Sequence, residues 1–337
     1  MCFRLYTEDA FTGLADTTVP EILRVNLAQV ILQLKGMGVE DPMKFEFLTP
    51  PSKESLHGAC TQLYALGALN DKMELTKYGE KLSRLPVDPV FAHLLLQSSK
   101  YGCVAEILIA VSMLSTENLM YRPTGDKEGA KAAEAHRRFA SHEGDLPTFL
   151  NVYNAWKKEA VYTPSSTSGK KAKQQREKGE AKGKLSHGDW CRRNYISGRA
   201  LVRAYDVHHQ LKTICTRPVE RNGLGMDVSK SCGEDIETFL KCVSAGLFMQ
   251  AASRTKEPEE TDGRGKSGML SSSAKYRTKI GNKPVSIHPT STIFGRTPPP
   301  RCVVYTELVT TKKTYIRGVS QIREEWLAEV APKFFSK

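Results

Sequence analysis

The sequence has no cysteine pair spaced C-x-x-C, no long apolar run and only 8% aromatic residues. Each shortage excludes something. The eight cysteines are scattered, so a zinc site is not expected. Without a secretion signal, they read as free thiols of a reducing, intracellular compartment. The longest apolar stretch, Ile107 to Leu114 with Ser112 inside it, falls far short of the roughly 20 residues a membrane span requires. Arg4, Glu8 and Asp9 stand where the apolar stretch of a signal peptide would lie.

Enzyme signatures are missing as well. A phosphate-binding loop needs a glycine five residues before its Gly-Lys-Ser, so that backbone amides wrap the phosphates. Gly265-Lys266-Ser267 has the ending, but Glu260 occupies the glycine position. Ala133-Glu134-Ala135-His136 resembles a metal-holding acidic box, yet Ala133 replaces the leading acid and the segment reads as helix. No serine elbow and no His-Glu-x-x-His occurs. His208 and His209 are adjacent and face different sides of a helix. These residues predict no catalytic centre, no metal site and no ATP hydrolysis by this chain alone.

What is present is an ordinary globular composition, 40% apolar and 26% charged over 337 residues, enough for two or three domains of about 100–150 residues. The formal net charge of +12 invites a polyanion. Lys170, Lys171, Lys173, Arg176, Lys178, Lys182 and Lys184, against Glu177 and Glu180, supply five of those twelve charges from one polar stretch. Outside it the chain is only mildly basic.

Local patterns set the organisation. Residues 2–6 read as a short strand and Thr7-Glu8-Asp9 as a turn. Thr18-Val19-Pro20-Glu21 reads as a helix start, with Leu23, Leu27, Val30, Ile31 and Leu34 at helical spacing and Gly36 and Gly38 as its stop. Pro50-Pro51-Ser52 opens a second helix. A turn at 67–71, a strand Met73–Leu75 and a Thr76-capped helix complete a small winged-helix-like module that either binds nucleic acid or braces its neighbours. From Val87 to about Ala252 the chain reads as helices, including a long one from Arg192 to Ile214. Residues 163–188 and 254–273 have almost nothing apolar and read as disordered insertions. The final 65 residues are β-rich: Tyr276–Thr278, Val285–His288, Cys302–Val309 and Thr314–Val319 are expected strands, and Glu324–Val330 a closing helix. The expected fold class is mixed: a mostly α, multi-domain chain ending in a small β-barrel of the OB kind.

Eight strings, in order, carry a resemblance. They are Cys-Phe-Arg-Leu-Tyr-Thr-Glu at 2–8, Pro-Glu-Ile-Leu-Arg-Val-Asn-Leu at 20–27, and Glu-Gly-Asp-Leu-Pro-Thr-Phe-Leu-Asn-Val-Tyr at 143–153. Trp190-Cys191 with Asn194-Tyr195 follow, then Ile-His-Pro-Thr-Ser at 287–291, Val-Tyr-Thr-Glu-Leu at 304–308, Tyr-Ile-Arg at 315–317 and Glu-Trp-Leu-Ala-Glu-Val-Ala-Pro at 325–332. Together they resemble the C-terminal half of DEAH-box RNA helicases across nearly the whole chain, the two polar stretches excepted. The run from Pro299 to Glu307 resembles spliceosome-associated members.

The resemblance implies a tail of the second RecA-like domain over 1–19, with both nucleotide-binding domains upstream. It implies a winged helix over 20–86, a helical ratchet domain over 87–252 and an OB-fold over 253–337. It also implies a role: gripping single-stranded RNA while an ATP- and Mg-dependent motor translocates. Asn194, Arg199 and Arg203 of the ratchet helix are candidate RNA contacts. In the OB-like part the candidates are His288, Ser291, Lys312, Lys313, Tyr315 and Arg317. The implied partners are RNA, the RecA-like domains, a glycine-rich activator protein and the spliceosome, in the nucleus. A motor-less adaptor that binds protein through the same domains is the alternative. One departure stands out. Leu146-Pro147 follows the Gly-Asp turn, where the family often has His, so any polar contact there is lost.

Overall fold

The computed structural model describes residues 3–116, 119–164, 183–255, 275–311 and 313–335. Two compact units result, Met1–Arg84 and Leu85–Lys337.

The first unit is built on α1 (Glu8–Thr12), α2 (Ala28–Gly36), α3 (Lys53–Ala65) and α4 (Lys77–Ser83), with α2 packed against α3 and α4. Ser52 and Thr76 accept the free amides of Ser55 and Gly79, which starts α3 and α4. Ile31, Leu32, Leu63 and Leu82 are fully buried. Three expectations are corrected here. No strand occurs over residues 3–6, because nothing in this unit offers a ladder to them; Cys2 lies outside the described residues. Thr7 caps α1 instead of making a turn. The helix expected from Pro20 is a short 3₁₀ turn at Glu21–Leu23, and α2 starts at Ala28, whose amide donates to Asn26 Oδ1 at 2.9 Å. The wing is reduced to one bridge between Leu69 and Leu75.

The second unit holds the remaining helices: α5 (Pro89–Tyr101), α6 (Val104–Leu114), α7 (Asp126–Arg137), α8 (Asp145–Glu159), α9 (His187–Asn194), α10 (Gly198–Thr216), α11 (Ile236–Gly246), α12 (Glu324–Val330) and α13 (Pro332–Phe335). Helix α6 is the hub, packed against α5, α8 and α10. Around Trp156 the rings of Tyr153, Tyr162, Tyr205 and His187 stack at centroid distances of 5.5–6.1 Å. The long helix expected from Arg192 is broken. Tyr195 takes a left-handed conformation (φ 52°) that ends α9, and Ser197 then caps α10. The first polar insertion ends earlier than expected. Leu185–Ser186 (β2) pairs in parallel with Ala160–Val161 (β1), and α9 follows at once. Its central part, and that of the second insertion, lie outside the described residues.

The tail forms one seven-stranded sheet. Its strands are β3 (Ala251–Arg254), β4 (Lys275–Thr278), β5 (Pro284–Ile287), β6 (Cys302–Val304), β7 (Glu307–Thr310), β8 (Thr314–Arg317) and β9 (Ser320–Ile322), in the order β7-β8-β5-β4-β3-β6-β9. Strand β3 begins before the expected boundary. The runs 302–309 and 314–319 each divide, at Tyr305-Thr306 and at Gly318-Val319. Gly318 has φ 59°, and a Cβ there would lie 2.0 Å from Thr306 Oγ1, so only glycine fits. Tyr276, Val285, Ile287, Val303 and Ile316 point inward and form the core. The end strands β7 and β9 do not pair with each other, so no closed barrel is found among the described residues.

Candidate nucleic-acid interface

The helical part and the sheet of the second unit are joined by one loop, Glu143-Gly144-Asp145. Asp145 N–H donates to Val319 O (2.8 Å), and Val319 N–H donates back to Asp145 Oδ2 (2.7 Å). Thr292 donates both its backbone N–H (2.7 Å) and its hydroxyl (2.9 Å) to Oδ1. Gln321 N–H reaches Glu143 O, and Arg296 reaches His142 O. Gly144 has φ 122°, and a Cβ there would sit 2.3 Å from Val319 O. Burial pushes the Asp145 carboxyl up, and the donors from Thr292, Val319 and Ser291 pull it back. The expected loss of a polar contact at Leu146-Pro147 takes a definite form. Leu146 is fully buried, and its amide meets Ser320 Oγ at 3.3 Å.

Beside this clasp a cleft of about 590 Å³ opens between the α6 end and the sheet. Met113, Phe149, Asp145, Thr290, Thr292, Thr306, Glu307 and Arg317 are among its walls. Its floor is apolar and its sheet side carries hydroxyls and a cation. Arg317 stands 4.0 Å from Glu307 and keeps a buried Nε without a hydrogen-bond partner. His288 and Tyr315 meet edge to face at 5.6 Å. The Thr290 amide donates to His288 Nδ1 (3.2 Å), which places the proton of the neutral ring on Nε2. Burial and the nearby Arg317 and Arg122 hold His288 below the usual histidine range, against the pull of Glu307.

The expected contact residues therefore divide. Arg317 lines the cleft and His288 and Tyr315 border it. Ser291 is next to the cleft wall but buried. Lys313 is exposed in a second groove of about 300 Å³. Arg199 and Arg203 are exposed one turn apart on α10 and line a shallow hollow with His187 and Asp206. Asn194 leaves the candidate set: it is 4% exposed, and its amide donates to Trp190 O one turn back. Lys312 lies outside the described residues. Sequence reasoning missed Asp145, Thr290, Thr292 and Thr306. Only the Glu-Gly-Asp string hinted at them, and it read as a turn.

Among the described residues, no cluster of metal-ligating side chains occurs, and no helix is long and apolar enough to cross a membrane.

The profile of the helicase-associated (HA2) winged helix matches residues 61–87. That of the ratchet-like HA2 domain matches 88–149, and that of the oligonucleotide/oligosaccharide-binding (OB) fold 239–334. The chain is 36% identical over 334 residues to the pre-mRNA-splicing factor ATP-dependent RNA helicase DEAH10 of Arabidopsis thaliana, covering 99% of this chain and 41% of that protein. It is 35% identical over 340 residues to the ATP-dependent RNA helicase DHX33 of Mus musculus, covering 100% and 41%. It is also 35% identical over 338 residues to the probable ATP-dependent RNA helicase DHX35 of Homo sapiens, covering 100% and 41%. The chain thus spans about two fifths of the length of the curated relatives it matches.

Proposed function

Because the chain belongs to the DEAH-box RNA helicases, as their C-terminal helicase-associated part, we propose that it grips single-stranded RNA while the ATP-hydrolysing motor of the whole protein moves along the strand. The cleft beside the clasp carries this reading. It combines what a single strand requires: a cation for phosphate in Arg317, hydroxyls of Thr290, Thr292 and Thr306 for sugar and phosphate, and the His288–Tyr315 ring pair for bases. Arg199 and Arg203 add a second cationic contact from α10.

ATP and Mg belong to the RecA-like domains of the whole protein in this reading. Those domains dock on the first unit. Thirteen of the twenty large apolar side chains left exposed among the described residues lie within residues 3–64, with Leu5 and Leu48 almost wholly bare. That density of exposed apolar surface is the mark of a protein contact. It also supports the adaptor reading, and a glycine-rich activator would use the same surface. The printed name of the Arabidopsis relative makes pre-mRNA splicing, and with it the nucleus, the pathway we propose.

The test is the affinity of the 337-residue chain for oligouridylate as a function of salt. Single-strand binding falls with a log–log slope of about 0.7 per phosphate neutralised. Arg317→Ala is expected to weaken binding and flatten the slope by about that amount, with the fold unchanged. A folded chain with no affinity at low salt would remove the RNA reading and leave the adaptor.

A further inference from the structure

Strands β5 and β8 continue beyond the cleft. They run in parallel, with Ser286 opposite Tyr315 and Ile287 opposite Ile316. Ile287 and Ile316 are core, so by the two-residue period Ser286, Tyr315 and Arg317 lie on the outer face. Lys275 is paired with Ser286 across the β4–β5 ladder and is exposed, as is Arg277, while Tyr276 between them is buried. One row therefore crosses three strands on the outer face: Lys275, Ser286, Tyr315.

At the far end of this row lies the second groove. It is lined by Lys275, Arg277, Lys313, Ser286 and Thr314 among others, and none of its lining residues is acidic. The three cations are exposed and have no carboxylate in ion-pair reach among the described residues. Arg277 gives one N–H to Asn282 O at 3.2 Å and keeps the rest of its guanidinium free to donate. Along β8, Lys313 and Arg317 are four residues apart, about 13 Å. The cations of the groove, the Tyr315 ring and the Arg317 end of the cleft thus follow one another along a single pair of strands. The cleft has an acid beside its arginine, Glu307. The groove has cations alone, a composition suited to phosphates and to nothing that needs a hydrogen-bond acceptor.

We propose that Lys275, Arg277 and Lys313 form a second phosphate-binding station, and that single-stranded RNA leaving the cleft passes Tyr315 and crosses the outer face of the sheet to reach it. The station extends the RNA reading above and rests on it. It makes the grip length-dependent: a short strand fills the cleft alone, and only a longer one reaches the groove.

The experiment compares oligouridylates of about 4 and about 16 nucleotides, the span of site sizes known for OB folds, on the unaltered chain, on the triple variant Lys275→Ala, Arg277→Ala, Lys313→Ala, and on Arg317→Ala. The substituted side chains are all exposed or half-buried, and circular dichroism checks each fold. For the long strand, the triple variant is expected to lower the salt slope by about 2, from three contacts of about 0.7 each, and to leave the short strand unchanged. Arg317→Ala is expected to weaken both. An unchanged slope for the long strand, with Arg317→Ala still weakening both lengths, overturns the station and leaves the cleft standing. Equal losses on both lengths in the triple variant also overturn it, since the cations would then belong to the cleft contact. If the unaltered chain binds neither length, the station and the RNA reading fall together.

Discussion

The helical part and the sheet of the second unit solve the same packing problem differently. Residues 88–216 are held by rings: Tyr153, Trp156, Tyr162, Tyr205 and His187 stack in one cluster, and Trp190 donates to Glu159 at 2.9 Å. The sheet is held by ladders, with β-branched and tyrosine side chains inside and hydroxyls, rings and cations outside. The helical part buries its large aromatics, whereas the sheet and its flanks leave Tyr315 and several cations reachable. One region is scaffold and the other is contact surface, and the 143–145 loop is what ties the second to the first.

The strongest way to break that division is to remove a ring from the scaffold. Trp156→Ala is expected to cost about 4 kcal/mol through lost burial and a cavity. Urea unfolding should show a lower midpoint, while the short-strand affinity of the still-folded protein stays the same. A stability change under 1 kcal/mol would mean that the ring cluster is not the scaffold.

Next in size is the tie. Asp145→Ala leaves the buried amides of Thr292 and Val319 without acceptors and is expected to cost about 3 kcal/mol. Trp156 and Trp190 report on the helical part and Trp326 on α12. Single-tryptophan versions carrying the substitution should therefore unfold at two different urea concentrations. One shared transition would show that the halves are joined elsewhere.

The smallest effect is a titration confined to the helices. His93 is buried in α5 near Ala245 O (3.3 Å), and desolvation lowers its pKa to about 4. The unfolded chain, at 6.5, then binds the extra proton first. The stability is full above pH 6.5 and is lost as the pH falls towards 4, about 2 kcal/mol of it by pH 5. His93→Gln keeps a donor but does not titrate, so its stability curve should be flatter over that window. Parallel curves would place the acid sensitivity elsewhere, for instance on His208, which is also lowered to about 4.

Capping chemistry made much of the fold legible. Ser52, Thr76 and Asp88-Pro89 start their helices where local rules place them, and the β-rich tail announces itself in the last 65 residues. Breaks decided by distant partners were not legible. Tyr195 turns left-handed where its carbonyl accepts from the Tyr121 amide, 74 positions earlier, at 2.9 Å. Nothing within helix range of Tyr195 signals it. The same holds for the site. The strings around Asn194 and Ser291 revealed kinship, but kinship is shared by buried residues and contact residues alike, and only burial separates Arg317 from Asn194. Lys275 and Arg277 went unnoticed because a cation in a strand has no local signature. Their meaning comes from register with β5 and β8.

The clasp also sets an order of events in synthesis. Asp145 and Val319 are 174 positions apart. At about 5–20 residues per second, the carboxylate leaves the ribosome roughly 10 to 35 s before its partner amide exists. Through that interval the carboxylate stays in water, so the helices must hold their shape without it, and the sheet closes onto a preformed body. A nascent chain halted before Val319 should present this acid, and the α8 start that carries it, to any chaperone or protease at hand.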